Sequence, residues 1–242
     1  MKANNFDAIY SNVLWNLHND PDHIITGTNI CDKERKSGFK ELSGFQFKLT
    51  NIYKNQITKN KNRKFNARYA ADFFDYVMTG DTEGVKKNPK AIEYLEEFGG
   101  RNTQYGPRIR NQLENMLTEL KEDKGSRRGT IIILEADDQE LFYSKRSGHT
   151  TIEYPCTNSL TFSIRDDKLN LTSNMRSQSA ALVMPYDVYN WTNLMMVVKD
   201  ELLATYPNLE CGTLTHQVAS LHYFLDEEEL VKNIIREYGA LV

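Results

Sequence analysis

The stretch Glu153–Ser177, EYPCTNSLTFSIRDDKLNLTSNMRS, decides how this chain is read. Leu160, Phe162 and Ile164 alternate with polar residues, and Leu169, Leu171 and Ser173 alternate again after Asp166-Asp167-Lys168. Strand side chains point to opposite faces in turn, so two runs of period two around a turn predict a β-hairpin. Cys156 lies at one end of it and Arg176 at the other. A cysteine placed after Pro155, at the start of a buried strand, is either a small hydrophobe or a nucleophile held at a fixed point. The local sequence leaves both readings open.

Outward from the hairpin, Phe6, Ile9, Val13, Leu14 and Leu17 predict a helix over residues 5–18. Polar, glycine-bearing sequence follows to about Gly44, and Phe45-Gln-Phe-Lys-Leu49 then alternates as a strand. Helices are expected over 67–79 and 108–123, the second with an Ile109, Leu113, Met116, Leu117, Leu120 stripe and Pro107 near its start. Thr130–Leu134 is a β-branched strand. A helix over about 186–205 turns Val188, Trp191, Leu194, Met195, Val198 and Leu202 inward. A strand near 213–224 and a helix from about Asp226 close the chain. Helices alternating with strands, one pair antiparallel, imply an α/β (α+β) class with a mixed sheet flanked by helices. No repeat or long linker interrupts the sequence, so residues 1–242 are expected to form a single domain.

Bulk properties narrow the function classes. The chain has 242 residues, 40% hydrophobic and 26% charged, enough for one sizeable core. A net charge of −3 gives no footprint for specific nucleic-acid binding, and Lys59-Asn-Lys-Asn-Arg-Lys64 reads as a solvated loop. Cys31, Cys156 and Cys211 match no zinc spacing, so no metal is expected, and their odd number argues against a secreted disulfide framework. No run approaches eighteen apolar residues and no leader-like pattern opens the sequence, so a cytoplasmic protein without membrane association is expected.

Several polar residues gather around the hairpin. Gly125-Ser126-Arg127-Arg128-Gly129 and Arg176-Ser177 offer guanidinium and hydroxyl groups, the pairing that grips phosphate, although each also suits an ordinary surface. Asp187 falls in a first helical turn, where the dipole favours a carboxylate. His222, in Ser220-Leu-His-Tyr-Phe224, is as readily a core histidine as a ligand contact. The residues alone support an α/β protein with a candidate nucleophile and a candidate anion site.

The order and spacing of Tyr105-Gly106, Ser126-Arg127-Arg128, Pro155-Cys156, the run Arg176–Leu194 (RSQSAALVMPYDVYNWTNL) and His222 resemble the thymidylate synthase superfamily over about residues 105–224. Gly44-Phe45-Gln46 and Gly80-Asp81-Thr82 extend the resemblance loosely toward the N-terminus. Within the superfamily the chain is most similar to the phage deoxycytidylate hydroxymethylases. Thr157 follows the cysteine where synthases carry histidine, and Asp187 stands in place of the asparagine that reads uracil.

The resemblance implies a homodimer packed through its sheets and a covalent mechanism. Cys156 would add to C6 of a pyrimidine nucleoside monophosphate, and C5 would take a one-carbon unit from 5,10-methylenetetrahydrofolate. Arg176 and Ser177 would bind the 5′-phosphate, Arg127 and Arg128 the partner subunit's phosphate, and Arg35 would be the loop arginine, with Glu34 aligning almost as well. Tyr105 would join the proton relay, and Asp72 stands for the general-base glutamate. Asp187 would read cytosine, and His222 would contact the ribose. Phe224 replaces a ribose-binding tyrosine, which leaves CMP open beside dCMP. Ser179 and Val183 occupy the positions of the pterin-binding aspartate and a neighbouring glycine. Another C5-modifying enzyme, methylating dUMP or UMP or working without folate, and a non-catalytic nucleotide-binding homologue are the alternatives.

Overall fold

A computed structural model of the chain describes residues 1–26, 38–79, 105–138 and 154–239. Arg35, Glu34 and Gly80-Asp81-Thr82 lie outside the described residues. In chain order the elements are β1 (Lys2–Ala3), α1 (Phe6–Asn19), β2 (His23–Ile25), β3 (Phe39–Leu49), α2 (Ala67–Thr79) and α3 (Tyr105–Glu122). They continue with β4 (Thr130–Ile132), β5 (Thr157–Arg165), β6 (Lys168–Ser179), α4 (Met184–Leu202), β7 (Glu210–Phe224), a short 3-10 turn and α5 (Glu228–Gly239). The protein is a mixed α/β structure. β1 pairs with β3 in parallel, whereas the β2–β3, β3–β7 and β4–β5 pairings are antiparallel.

The chain groups into two compact units, Met1–Phe65 with Met175–Thr192 and Gly212–Val242, and Asn66–Asn174 with Asn193–Cys211. In the first unit the strands run β1-β3-β7-β6, with β2 also on β3. α1 covers its core by burying Phe6, Ile9, Tyr10, Val13, Leu14 and Leu17 completely. Each such side chain contributes about 1.5–3 kcal/mol. The Asn5 side chain caps this helix by accepting from the Ala8 N–H at 2.8 Å. The β3–β7 register sets Phe47 opposite His216 and Glu41 opposite His222. β3 begins at Phe39, earlier than Phe45, because backbone pairing to β7 continues past the point where half-exposed Lys40 and Glu41 hide the alternation.

In the second unit the order is β6-β5-β4. The hairpin turns on Asp166 and Asp167, both left-handed at φ 52° and 54°. Two such residues match the twist of the flanking strands, and aspartate tolerates that conformation better than most side chains. Leu160, Phe162 and Ile164 of β5 and Leu169, Leu171 and Ser173 of β6 face inward, as their alternation requires. α2 and α3 touch closely at Gly106, where a Cβ would fall 2.7 Å from the Val77 carbonyl oxygen.

One expectation is corrected. The Lys59–Lys64 loop keeps its lysines exposed but buries Arg63. Arg63 Nε donates to the Ala181 carbonyl at 2.9 Å, and Nη2 donates to that of Leu182 at 2.7 Å. Its guanidinium also stacks over Tyr186, 5.4 Å from the ring centroid. A planar five-donor fork can satisfy carbonyls that no helix or strand would, which a run of like charges does not reveal. Arg63 therefore pins the turn that launches α4. Among the described residues, no helix is long and apolar enough to cross a membrane.

Candidate active site

In the second unit, Cys156 is half-buried immediately before β5 and is not joined in a disulfide. The hydroxyl oxygen of Tyr105, at the start of α3, accepts from the Cys156 N–H at 3.1 Å and the Thr157 N–H at 3.3 Å. Tyr105 thus reaches the candidate nucleophile through its backbone and fixes the residue that presents the sulfur. Thr157 is fully buried, and its hydroxyl has no hydrogen-bond partner among the described residues. Asp72 is half-buried on α2, the helix packed against α3. Arg127 and Arg128 are exposed ahead of β4. Arg128 pairs with Glu119 at 2.7 Å, and Ser126 donates to the same carboxylate at 2.6 Å. A phosphate drawing on Arg128 must compete with that pair.

The first unit gathers the remaining candidates. Arg176 and Ser177 are half-buried near the end of β6. The Ser179 hydroxyl is buried without a partner among the described residues, and Val183, on the following turn, is 46% exposed. A buried hydroxyl awaiting a partner and an exposed apolar side chain suit the polar edge and flat face of a pterin. His222 lies among aromatic rings, 5.4 Å from Phe39 and 5.0 Å from Phe224 between centroids.

Asp187 has the most distinctive surroundings. It sits in the first turn of α4, where Pro185 costs nothing because its missing N–H would have no helical partner. Burial pushes its carboxyl up to about 7, against a smaller downward pull from the Gln178 hydrogen bond. Gln178 Nε2 donates to Asp187 Oδ2 at 2.8 Å, and His216 Nε2 lies 2.8 Å from Gln178 Oε1. His216 is fully buried, and desolvation lowers its pKa to about 3, so the ring is neutral. At neutral pH the Asp187 carboxyl can both donate and accept a hydrogen bond.

The sequence profile described as thymidylate synthase matches residues 2–240. The chain belongs to the thymidylate synthase family. It is 26% identical over 239 residues to a "Putative thymidylate synthase" of Methanococcoides burtonii, covering 95% of this chain and 91% of that one. It is 25% identical over 214 residues to the deoxyuridylate hydroxymethyltransferase of Delftia phage PhiW-14, covering 84% of this chain and 58% of that one. The deoxycytidylate 5-hydroxymethyltransferase of Enterobacteria phage T6 is 30% identical over 147 residues, 57% of this chain and 58% of the phage protein. Thymidylate synthase family membership supports one-carbon transferase activity, in a family that uses methylenetetrahydrofolate.

Sequence reading passed over Gln178 and His216. Gln178 stands inside the matched run between two serines, and His216 interrupts the inward series Leu214, Val218 on β7. A buried amide and a buried imidazole at inward positions were the available signal, since such groups need partners. The cavity of about 480 Å³ lined by Asn5, Asp7, Tyr53, Asn55 and Thr58 contains none of the site candidates. The placement of chemistry outweighs the size of that hollow. Among the described residues, no group of three or more His, Cys, Asp or Glu could hold a metal ion.

Proposed function

We propose that the protein is a hydroxymethyltransferase acting at C5 of a cytosine nucleotide, dCMP or CMP. The observation that carries this reading is the Asp187 carboxyl in the first turn of α4, hydrogen-bonded at Oδ2 by Gln178 and raised by burial to about 7, so that its protonated form is available near neutral pH. Cytosine presents an acceptor at N3 and an amino donor at C4, and a neutral carboxyl supplies the matching O–H and oxygen.

The Cys156 thiolate adds to C6, and the C5–C6 π electrons make C5 the nucleophile toward the one-carbon unit. Methylenetetrahydrofolate, when bound, supplies that unit at the oxidation level of formaldehyde, and water completes the hydroxymethyl group. Ser179 and Val183 are the residues that would hold the pterin. Loss of the C5 proton to a base, with Asp72 assigned that role, frees the transferred carbon from tetrahydrofolate; water adds to that carbon as the sulfur leaves C6 and the C5–C6 double bond returns. Tyr105 holds the Cys156 backbone while this happens. Arg176 and Ser177 bind the 5′-phosphate, Arg127 and Arg128 that of a partner subunit in a homodimer, and Arg35 is assigned as a further phosphate ligand. His222 and Phe224 face the sugar, and Phe224 offers no hydroxyl to select deoxyribose.

Release of tritium from 5-tritiated dCMP, CMP and dUMP, with and without methylenetetrahydrofolate, tests the proposal. Folate-dependent release from a cytosine nucleotide, abolished in Cys156→Ala, is the expected result. Release without folate would identify a different C5 chemistry, and no release from any nucleotide would leave a binding protein. A second reading, uracil as the base, requires the proton on the carboxyl's other oxygen, where it would meet O4 and leave a bare oxygen for N3–H.

A further inference from the structure

A neutral carboxyl is ambidextrous. With its O–H toward N3 and its other oxygen toward position 4 it fits cytosine, and with the two exchanged it fits uracil. Base choice therefore depends on more than the presence of Asp187. It depends on which of its oxygens carries the proton, and this question rests on the base-reading role proposed above for Asp187.

We propose that Gln178 and His216 are positioning residues that fix the proton on Oδ1 of Asp187 and so set which pyrimidine edge the carboxyl reads. The geometry is a row across three adjacent strands. Phe47 of β3 faces His216 of β7 with ring centroids 4.9 Å apart, His216 Nε2 is 2.8 Å from Gln178 Oε1 on β6, and Gln178 Nε2 reaches Asp187 Oδ2 at 2.8 Å. Phe47 and His216 are fully buried, and Gln178 is 2% exposed. Solvent therefore does not substitute for the hydrogen bond between His216 and Gln178.

Each link determines the next. An amide carbonyl only accepts, so His216 must carry its proton on Nε2. That holds the Gln178 amide with its NH₂ toward Asp187. An NH₂ group only donates, so Oδ2 must be the bare oxygen, and the exchangeable proton of the neutral carboxyl stays on Oδ1. Among the described residues no other donor reaches the Asp187 side chain. Were His216 protonated on Nδ1 instead, the amide would turn over, Oε1 would face Asp187, and the proton would move to Oδ2. The histidine tautomer and the base preference are thus two ends of one chain of hydrogen bonds.

Gln178→Leu keeps a similar volume while removing both hydrogen bonds, and His216→Phe keeps the stack on Phe47 while freeing the amide to turn. The kcat/KM ratio for cytosine over uracil nucleotide is measured for each, alongside the thermal midpoint. The expected result is a change of about tenfold or more in that ratio, with His216→Phe the milder of the two. A folded Gln178→Leu enzyme with the wild-type ratio would overturn the proposal. Asp187→Asn separates the layers. If it leaves base preference unchanged, the base-reading role itself fails; if it shifts preference while both other variants do not, only the positioning role fails. Should neither Gln178→Leu nor His216→Phe fold, imidazole ¹⁵N shifts of the wild-type protein decide. An Nε2-protonated His216 is expected, and an Nδ1-protonated ring would overturn the proposal.

Discussion

Asp7 and Asp187 each lie in the first turn of a helix, Asp7 buried and Asp187 half-buried, and the protein treats the two carboxyls in opposite ways. Asp7 is saturated. It accepts from the Thr58 hydroxyl at 2.6 Å, the Tyr238 hydroxyl at 2.9 Å, and the backbone N–H groups of Thr58 and Lys59 at 3.1 and 3.2 Å. Among the described residues, Asp187 receives Gln178 alone. A saturated carboxylate fastens α1 to a loop and to α5, with no lone pair left for a ligand. An unsaturated one keeps most of its hydrogen-bonding capacity unused, at a cost in stability, and that spare capacity is what a base edge can use.

The largest effect should come from breaking the saturated site. Asp7→Ala leaves the buried Tyr238 hydroxyl without its acceptor and releases the Thr58 and Lys59 donors to solvent, so a loss of about 2 kcal/mol in unfolding free energy is expected in urea titration. The ratio of cytosine to uracil use should stay unchanged. A variant with wild-type stability would remove the contrast on which this comparison rests. Asp187→Asn should do the reverse. An amide presents a fixed donor and acceptor and cannot relocate a proton, so base preference should move toward uracil by on the order of a hundredfold. Competition between dCMP and dUMP in the tritium assay measures it.

A third effect is smaller and depends on pH. Above about 7 the Asp187 carboxyl loses the proton it would donate to N3. The dissociation constant for dCMP should therefore rise about tenfold per pH unit beyond that point, and Asp187→Asn should flatten the profile. A wild-type profile that stays flat between pH 6 and 9 would show that the proton on Asp187 takes no part in binding.

The contrast between the two aspartates also marks what could be read from the sequence. Helices such as α1 and α2 were legible because a stripe like Phe6, Ile9, Val13, Leu17 has the period of its own element. The hairpin was legible from Leu160–Ser173 for the same reason. Asp187 stood out by residue type at a position that the family resemblance marked. Its controllers did not. Gln178 and His216 lie 38 residues apart on different strands, and their contact exists only once β6 and β7 are aligned. Arg63 was hidden similarly, since its partners are backbone carbonyls, which carry no residue signature. Periodicity reports burial, and residue type reports chemistry, but cross-strand polar pairing is a property of register.

The smallest effect has the most counterintuitive sign. The Asp187 carboxyl is raised from its ordinary 3.8 to about 7 in the folded protein. Between those two values the folded state holds a proton that the unfolded chain has released, so this group's contribution to stability is full below pH 3.8 and declines as pH rises to about 7. Asparagine has no proton to lose. Asp187→Asn should accordingly match wild type near pH 4 and become the more stable protein by pH 8, by about 1 kcal/mol after solvent screening at its partly accessible edge. Chemical denaturation at the two pH values measures the difference. A substitution that alters base choice and at the same time stabilises the fold would mark Asp187 as a residue kept against the interest of stability, whereas Asp7→Ala at the same two pH values should remain destabilising throughout.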